Sequence, residues 1–155
     1  MKFEGIAQLN EFVLSINDFI HNEENHSVVQ YPRNSVSSWN VKSIEEENEA
    51  LLNSVSVSGS ANIYAIFELE DNNDKPTLKY IGKTTRRLAR QRLRNHLITK
   101  YAKTGAKLES VKDLVRRGHT IKIAYLPIEP ESLRNYVEEE LIFLNKSAEW
   151  NRENA

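Results

Sequence analysis

Residues 79–97 read KYIGKTTRRLARQRLRNHL, and this stretch decides the fold. Its aromatic and apolar start predicts the end of a strand, Gly82 a turn, and the remainder a helix. That helix carries five arginines and one histidine, in a chain whose formal net charge is −1. Upstream, NIYAIFEL (62–69) is a second β-branched and aromatic run. EDNNDKP (70–76) separates it from TLKYIG (77–82), which together predict a β-hairpin. Downstream, the basic helix is expected over 86–101, followed by a helix near 108–117 that stops at Gly118, a good C-cap residue. TIKIAYLP (120–127) is a third strand, and Pro130 opens a helix over 131–145 with Glu131 in its first turn. The order β-β-α-α-β-α predicts an α+β domain: a small three-stranded antiparallel sheet flanked by helices.

The residues before this block differ in character. IAQLNEFVLSINDFI (6–20) spaces its apolar residues as an amphipathic helix. Residues 21–42 are irregular, 44–54 form an acidic helix, and SVSVSGSA (54–61) looks like a linker. The predicted organisation is an acidic, partly helical extension, 1–60, and a domain at 61–155.

Charge follows the same division. Residues 1–60 hold three basic and nine acidic side chains, a net of −6; the remaining 18 basic and 13 acidic give +5. Between 79 and 117, thirteen lysines and arginines face only Glu109 and Asp113. Such clustering is either a solvated helix face or the footprint of a phosphate-backbone partner. There are no cysteines, so disulfides and thiolate metal sites are excluded, leaving carboxylate and imidazole as metal ligands. No segment has the apolar length of a membrane span, and a cytoplasmic location is the expectation.

Candidate site residues come from the helical wheels. On the basic helix Ala89, Leu93 and Leu97 share a packing face, with Arg92 and His96 together on one flank. Arg94 and Arg87 take the other flank, and Asn95 points away. On the last helix Leu133, Val137, Leu141 and Leu144 form the buried stripe. Glu138 falls inside it, while Glu139 faces solvent. A carboxylate there must be paired, protonated, bound to a cation or bent outward. Tyr64 and Tyr80 share a face of the hairpin if its loop has an odd number of residues, as a loop of 70–74 would. Taken alone, the tyrosines are better explained by packing, and Arg92–His96 by a partly satisfied surface pair.

Together, NIY at 62–64, YIG at 80–82, RLRNH with Arg92 and His96, Glu138 in EEELI and WN at 150–151 resemble the GIY-YIG nuclease domain. The resemblance spans about 61–152. Asn62 stands where that family usually has glycine, which implies an altered strand edge. Arg90 lies nearer the YIG in spacing, but Arg92 has the family-like histidine four residues on.

The resemblance implies hydrolysis of phosphodiester bonds in DNA with one magnesium ion, for which manganese may substitute, on Glu138. It also implies Tyr64 as general base, activated by cationic neighbours, and Arg92 as the grip on the scissile phosphate. Tyr80 and His96 would line the site and Asn151 would close it with a hydrogen bond. Lys83, Arg86, Arg87, Arg90 and Arg94 are expected nucleic-acid contacts. The expected class is a restriction-type or phage or mobile-element endonuclease. Alternatives are a catalytically silent nucleic-acid-binding or regulatory module and a nuclease toxin domain. Only four residues follow Asn151, so specificity is expected from 1–60, from loops such as 101–108 or from a partner protein. The helix at 6–20 must cover its stripe with the domain's own flank or with a second copy in a homodimer.

Overall fold

The computed structural model describes residues 1–56, 61–100 and 106–152. Residues 57–60 of the expected linker and 101–105 of the expected loop lie outside the described residues. The described residues form four strands, β1 (Ser27–Val29), β2 (Ile63–Leu69), β3 (Thr77–Lys83) and β4 (Thr120–Leu126). They make one antiparallel sheet of order β1-β4-β2-β3. The three expected strands are thus joined by a fourth, Ser27–Val29, from the stretch read as irregular. Three residues after Glu23–Asn25 are too short for a period-2 signal, and pairing with β4 creates the strand.

Among the described residues seven helices cover both faces: α1 (Ile6–His21), α2 (Val41–Glu47), α3 (Glu49–Ser56), α4 (Ala89–Leu97), α5 (Leu108–Arg116), α6 (Arg134–Leu144) and α7 (Glu149–Arg152). One core layer sets Tyr64, Ile66, Ile121 and Ile123 against Ile44, Leu52, Val55, Leu93, Leu97 and Val111. The other sets Ile63, Ala65, Phe67 and Ile81 against Val13, Ile16 and Ile20 of α1 and Val137 and Leu141 of α6. Burial on both sides explains why β2 reads as a continuous apolar run rather than an alternating one.

The first 56 residues therefore share the core with the rest. The stripe of α1 finds its cover on α6 of the same chain. Tyr31 Oη donates to the Leu97 carbonyl at 2.8 Å and Trp39 Nε1 to that of Ile98 at 2.8 Å. These bonds satisfy carbonyls at the C-terminal end of α4, which otherwise lack intrahelical partners.

Both edge strands are held by an asparagine amide. Asn48, at the break between α2 and α3, accepts from Gln30 N–H and donates to Gln30 C=O, both at 2.8 Å, just past β1. Asn151 does the same to Ile81 on β3, at 2.8 and 2.9 Å. Each pair removes an exposed backbone donor and acceptor from the sheet edge. Gly118 ends α5 as expected, at φ 83°, with His119 N–H bonding Leu114 C=O at 3.0 Å in a Schellman arrangement.

Candidate active site

The hairpin register brings the tyrosines together by an unexpected route. Tyr64 lies opposite Gly82 and Ile66 opposite Tyr80, so both rings emerge on one face. Past Ile66 the register shifts by one, giving Phe67 opposite Leu78 and Glu68 opposite Thr77. The loop parity expected from 70–74 is therefore wrong, and a β-bulge restores the shared face. Gly82 is not a turn but part of β3. A Cβ there would come within 2.7 Å of Tyr64 Cε2, so glycine is the residue that lets the Tyr64 ring lie across the neighbouring strand.

Tyr64, Tyr80, Lys83, Arg92, Asn95, His96, Ala106 and Glu138 line one cavity of about 210 Å³. Its side chains come from β2, β3, α4 and α6, with Ala106 just before α5. The ring centroids of Tyr64, Tyr80 and His96 lie 5.2–6.2 Å apart. His96 is buried and its orientation is fixed at both nitrogens. The Lys107 backbone N–H donates to Nδ1 at 3.0 Å. A backbone amide can only donate, so Nδ1 is bare, the proton sits on Nε2, and Nε2–H donates to Tyr64 Oη at 2.7 Å. Burial, reinforced by Arg92 and Lys107, pulls the His96 pKa down to about 4. The ring is thus neutral near pH 7.

Tyr64 is 2 % exposed. Burial raises its pKa, with Tyr80 adding to the rise and Arg92 opposing it. Tyr80 is raised too, first by burial and then by Glu138. The expected depression of Tyr64 by its cationic neighbours is thus reversed: His96 carries no charge, and Arg92 does not offset desolvation.

Glu138 enters the cavity from α6. Burial raises its pKa against the opposing pull of Lys83, whose Nζ lies 3.5 Å from Oε1. Arg92 borders the same space and has no ion pair among the described residues. A half-buried carboxylate beside an open polar cavity could supply one ligand to a hard cation.

Other expected contacts lie elsewhere. Arg86 is built into the frame: Nε donates to Asn62 Oδ1 at 3.0 Å, and Nη2 to Ile128 C=O at 2.7 Å and Glu129 at 2.6 Å. Arg94 is ion-paired with Glu45 of α2 rather than turned outward. Arg90 donates to Asn53 at 3.1 Å, whereas Arg87 is exposed. Asn151 clasps β3 outside the cavity.

Asn62 uses its whole amide. Nδ2 donates to Thr84 C=O and Glu131 Oε1, both at 3.1 Å, while Oδ1 accepts from Arg86 Nε at 3.0 Å and Ile128 N–H at 2.9 Å. It ties the ends of β2 and β3 to the segment leading into α6.

Asn95 was expected to point away but is only 9 % exposed and lines the cavity. Helix α4 packs against both α3 and α5, so it has two covered sides where a wheel allows one. The signal available in sequence was the polar Asn95 beside His96, without a means of placing the second cover.

A different carboxylate cluster lies outside this cavity. Glu68, Glu70 and His119 bring ligand atoms within 4.8 Å of one another and could hold a metal ion. Glu68 already bonds His119 Nδ1 and sits 3.2 Å from Lys79 Nζ. No helix among the described residues is long and apolar enough to cross a membrane. No protein-family model, curated protein or solved structure matches the chain.

Proposed function

We propose that the protein is a magnesium-dependent endonuclease of the kind its sequence resembles, hydrolysing phosphodiester bonds in DNA. The observation that carries this reading is the convergence of Tyr64, Tyr80, Arg92, His96 and Glu138 on one cavity from four separate elements. Arg92 meets the scissile phosphate with a charged donor and stabilises the charge that builds on its oxygens. Glu138 would hold the cation, magnesium or manganese, which would supply Lewis acidity at the phosphate.

Tyr64 accepts the proton of the attacking water, which requires the phenolate. Its hydroxyl oxygen already accepts from His96 Nε2–H, so that donor is in place when the negative charge forms. His96 in this tautomer is a donor and not the base. Lys83 and Arg87 supply backbone phosphate contacts, while Arg86 and Arg94 serve the frame.

A catalytically silent nucleic-acid-binding module is the second reading, favoured by the raised pKa of Tyr64. Supercoiled plasmid separates the two. The nuclease nicks or linearises it with magnesium and not with a chelator, and Arg92→Ala cuts about 10²-fold more slowly. Plasmid bound by the wild type but left intact at alkaline pH with magnesium or manganese supports the silent module.

A further inference from the structure

A groove of about 290 Å³ lies between α1 and α6, lined by Asn10, Val13 and Leu14 of the first and Glu140, Phe143 and Leu144 of the second. Val13 is buried, but Leu14, Phe143 and Leu144 are 51, 63 and 45 % exposed and belong to neither core layer. Single exposed apolar side chains are ordinary, whereas three around one groove mark an interaction site. The rim is acidic. Glu11 and Asp18 lie three residues before and four after Leu14, hence beside it on α1, and Glu139 lies one turn before Phe143. These three are exposed, and neither they nor Glu140 make an ion pair among the described residues. Against them stands Lys146, 4.4 Å from the centroid of the Phe143 ring.

An apolar floor with an unanswered negative edge defines what fits. A nucleic acid or an anionic membrane is repelled. A second copy related by a two-fold axis would set the acidic rim against itself. We infer that the groove docks a basic amphipathic helix of a partner protein, whose apolar ridge lies between Leu14 and Phe143 and whose lysines or arginines meet Glu11, Asp18, Glu139 and Glu140. A groove between two packed helices takes the side-chain ridge of a third, and anchors at i, i+3, i+4 and i+7 run along it. Glu138 and Glu140 stand about 200° apart around α6, so the occupant leaves the candidate active-site cavity open. The inference is independent of the nuclease reading.

The probe is a designed fluorescent helix with leucine at i, i+3, i+4 and i+7 and lysine on its flanks. One control peptide carries glutamate for lysine, and another has the same residues in scrambled order. The full chain is titrated with each by anisotropy, and its own mass is followed by sedimentation as its concentration rises. The lysine helix binds about ten-fold tighter than either control, and its affinity falls as salt rises. Phe143→Ala weakens it about ten-fold. Glu11→Lys combined with Glu139→Lys weakens it about five-fold and flattens the salt dependence. Glu47→Lys, at an exposed acid of α2 on the other face of the sheet, leaves it unchanged. Every substituted side chain is exposed, so the variants fold. Equal binding of the three peptides overturns the inference, as does an affinity that the Phe143 and rim variants leave untouched. A dimer of the chain that Phe143→Ala dissolves overturns it as well, because the groove is then filled by a second copy.

Discussion

Glu68 and Glu138 are two shielded glutamates on different elements, and they are held in opposite ways. Glu68, near the hairpin end of β2, is 5 % exposed and sits between His119 and Lys79, itself also paired with Glu149 at 3.4 Å. Its charge is answered within the protein. Glu138 faces an open polar cavity, with one lysine at 3.5 Å that is itself partly solvated. A buried ion pair completed internally serves the frame, while a carboxylate left half-answered beside Arg92, which has no ion pair among the described residues, suits an incoming charge. On the proposed nuclease reading the difference favours Glu138 as the cation ligand, whereas ligand spacing alone points to Glu68, Glu70 and His119.

Alanine substitution at each glutamate tests this contrast most severely. Glu138→Ala abolishes magnesium-dependent plasmid cleavage while thermal unfolding and DNA retention stay near wild type. Glu68→Ala leaves Lys79 buried without its nearest carboxylate and lowers stability by about 3 kcal/mol, measured by denaturant unfolding. It retains cleavage at low temperature. Loss of cleavage in a folded Glu68→Ala protein together with full activity in Glu138→Ala would move the metal to the Glu68 cluster.

A smaller effect comes from the neutral imidazole beside Tyr64. The folded pKa of His96, about 4, lies below its ordinary value near 6.5. Between those values the unfolded chain binds a proton that the folded chain does not, so stability falls as pH drops from about 6.5 toward 4. His96→Gln removes that contribution, and its melting temperature declines less than that of wild type over the same window. His26, also lowered by burial, stays in both proteins, so the comparison isolates His96. Parallel melting curves against pH would mean that His96 ionises normally.

The smallest expected change is at Lys83. Its partly exposed pair with Glu138 contributes on the order of 0.2–1 kcal/mol. Lys83→Ala removes a competitor for the carboxylate and lowers the magnesium concentration for half-maximal metal binding by about two- to five-fold. An increase instead would show that Lys83 helps assemble the site rather than occupying it.

Periodicity and turn chemistry make much of this protein legible in its sequence. The runs at 62–69, 77–82 and 120–127 are strands because β-branched and aromatic residues bounded by breakers have few other uses. Gly118 stops α5 because its backbone turns left-handed there. Since a helix's own geometry fixes which residues share a side, the wheels put Arg92 and His96 together on their helix, and both line the cavity, Arg92 exposed and His96 buried. Glu138, read as inside the buried stripe, is half-buried there.

What the tertiary structure decided depends on neighbours that local spacing cannot name. The strand Ser27–Val29 exists because β4 offers an edge. The rings of Tyr64 and Tyr80 share a face because a bulge resets the register, and Gly82 is needed by a ring on the adjacent strand. Arg86 and Arg94 read as nucleic-acid contacts until Asn62, Glu129 and Glu45 arrive from elsewhere in the chain. Charge state is also decided in three dimensions. Tyrosine and histidine have their ordinary pKa values in an unfolded chain; burial first, then Tyr80 for Tyr64 and Arg92 and Lys107 for His96, makes Tyr64 harder to ionise and keeps His96 neutral.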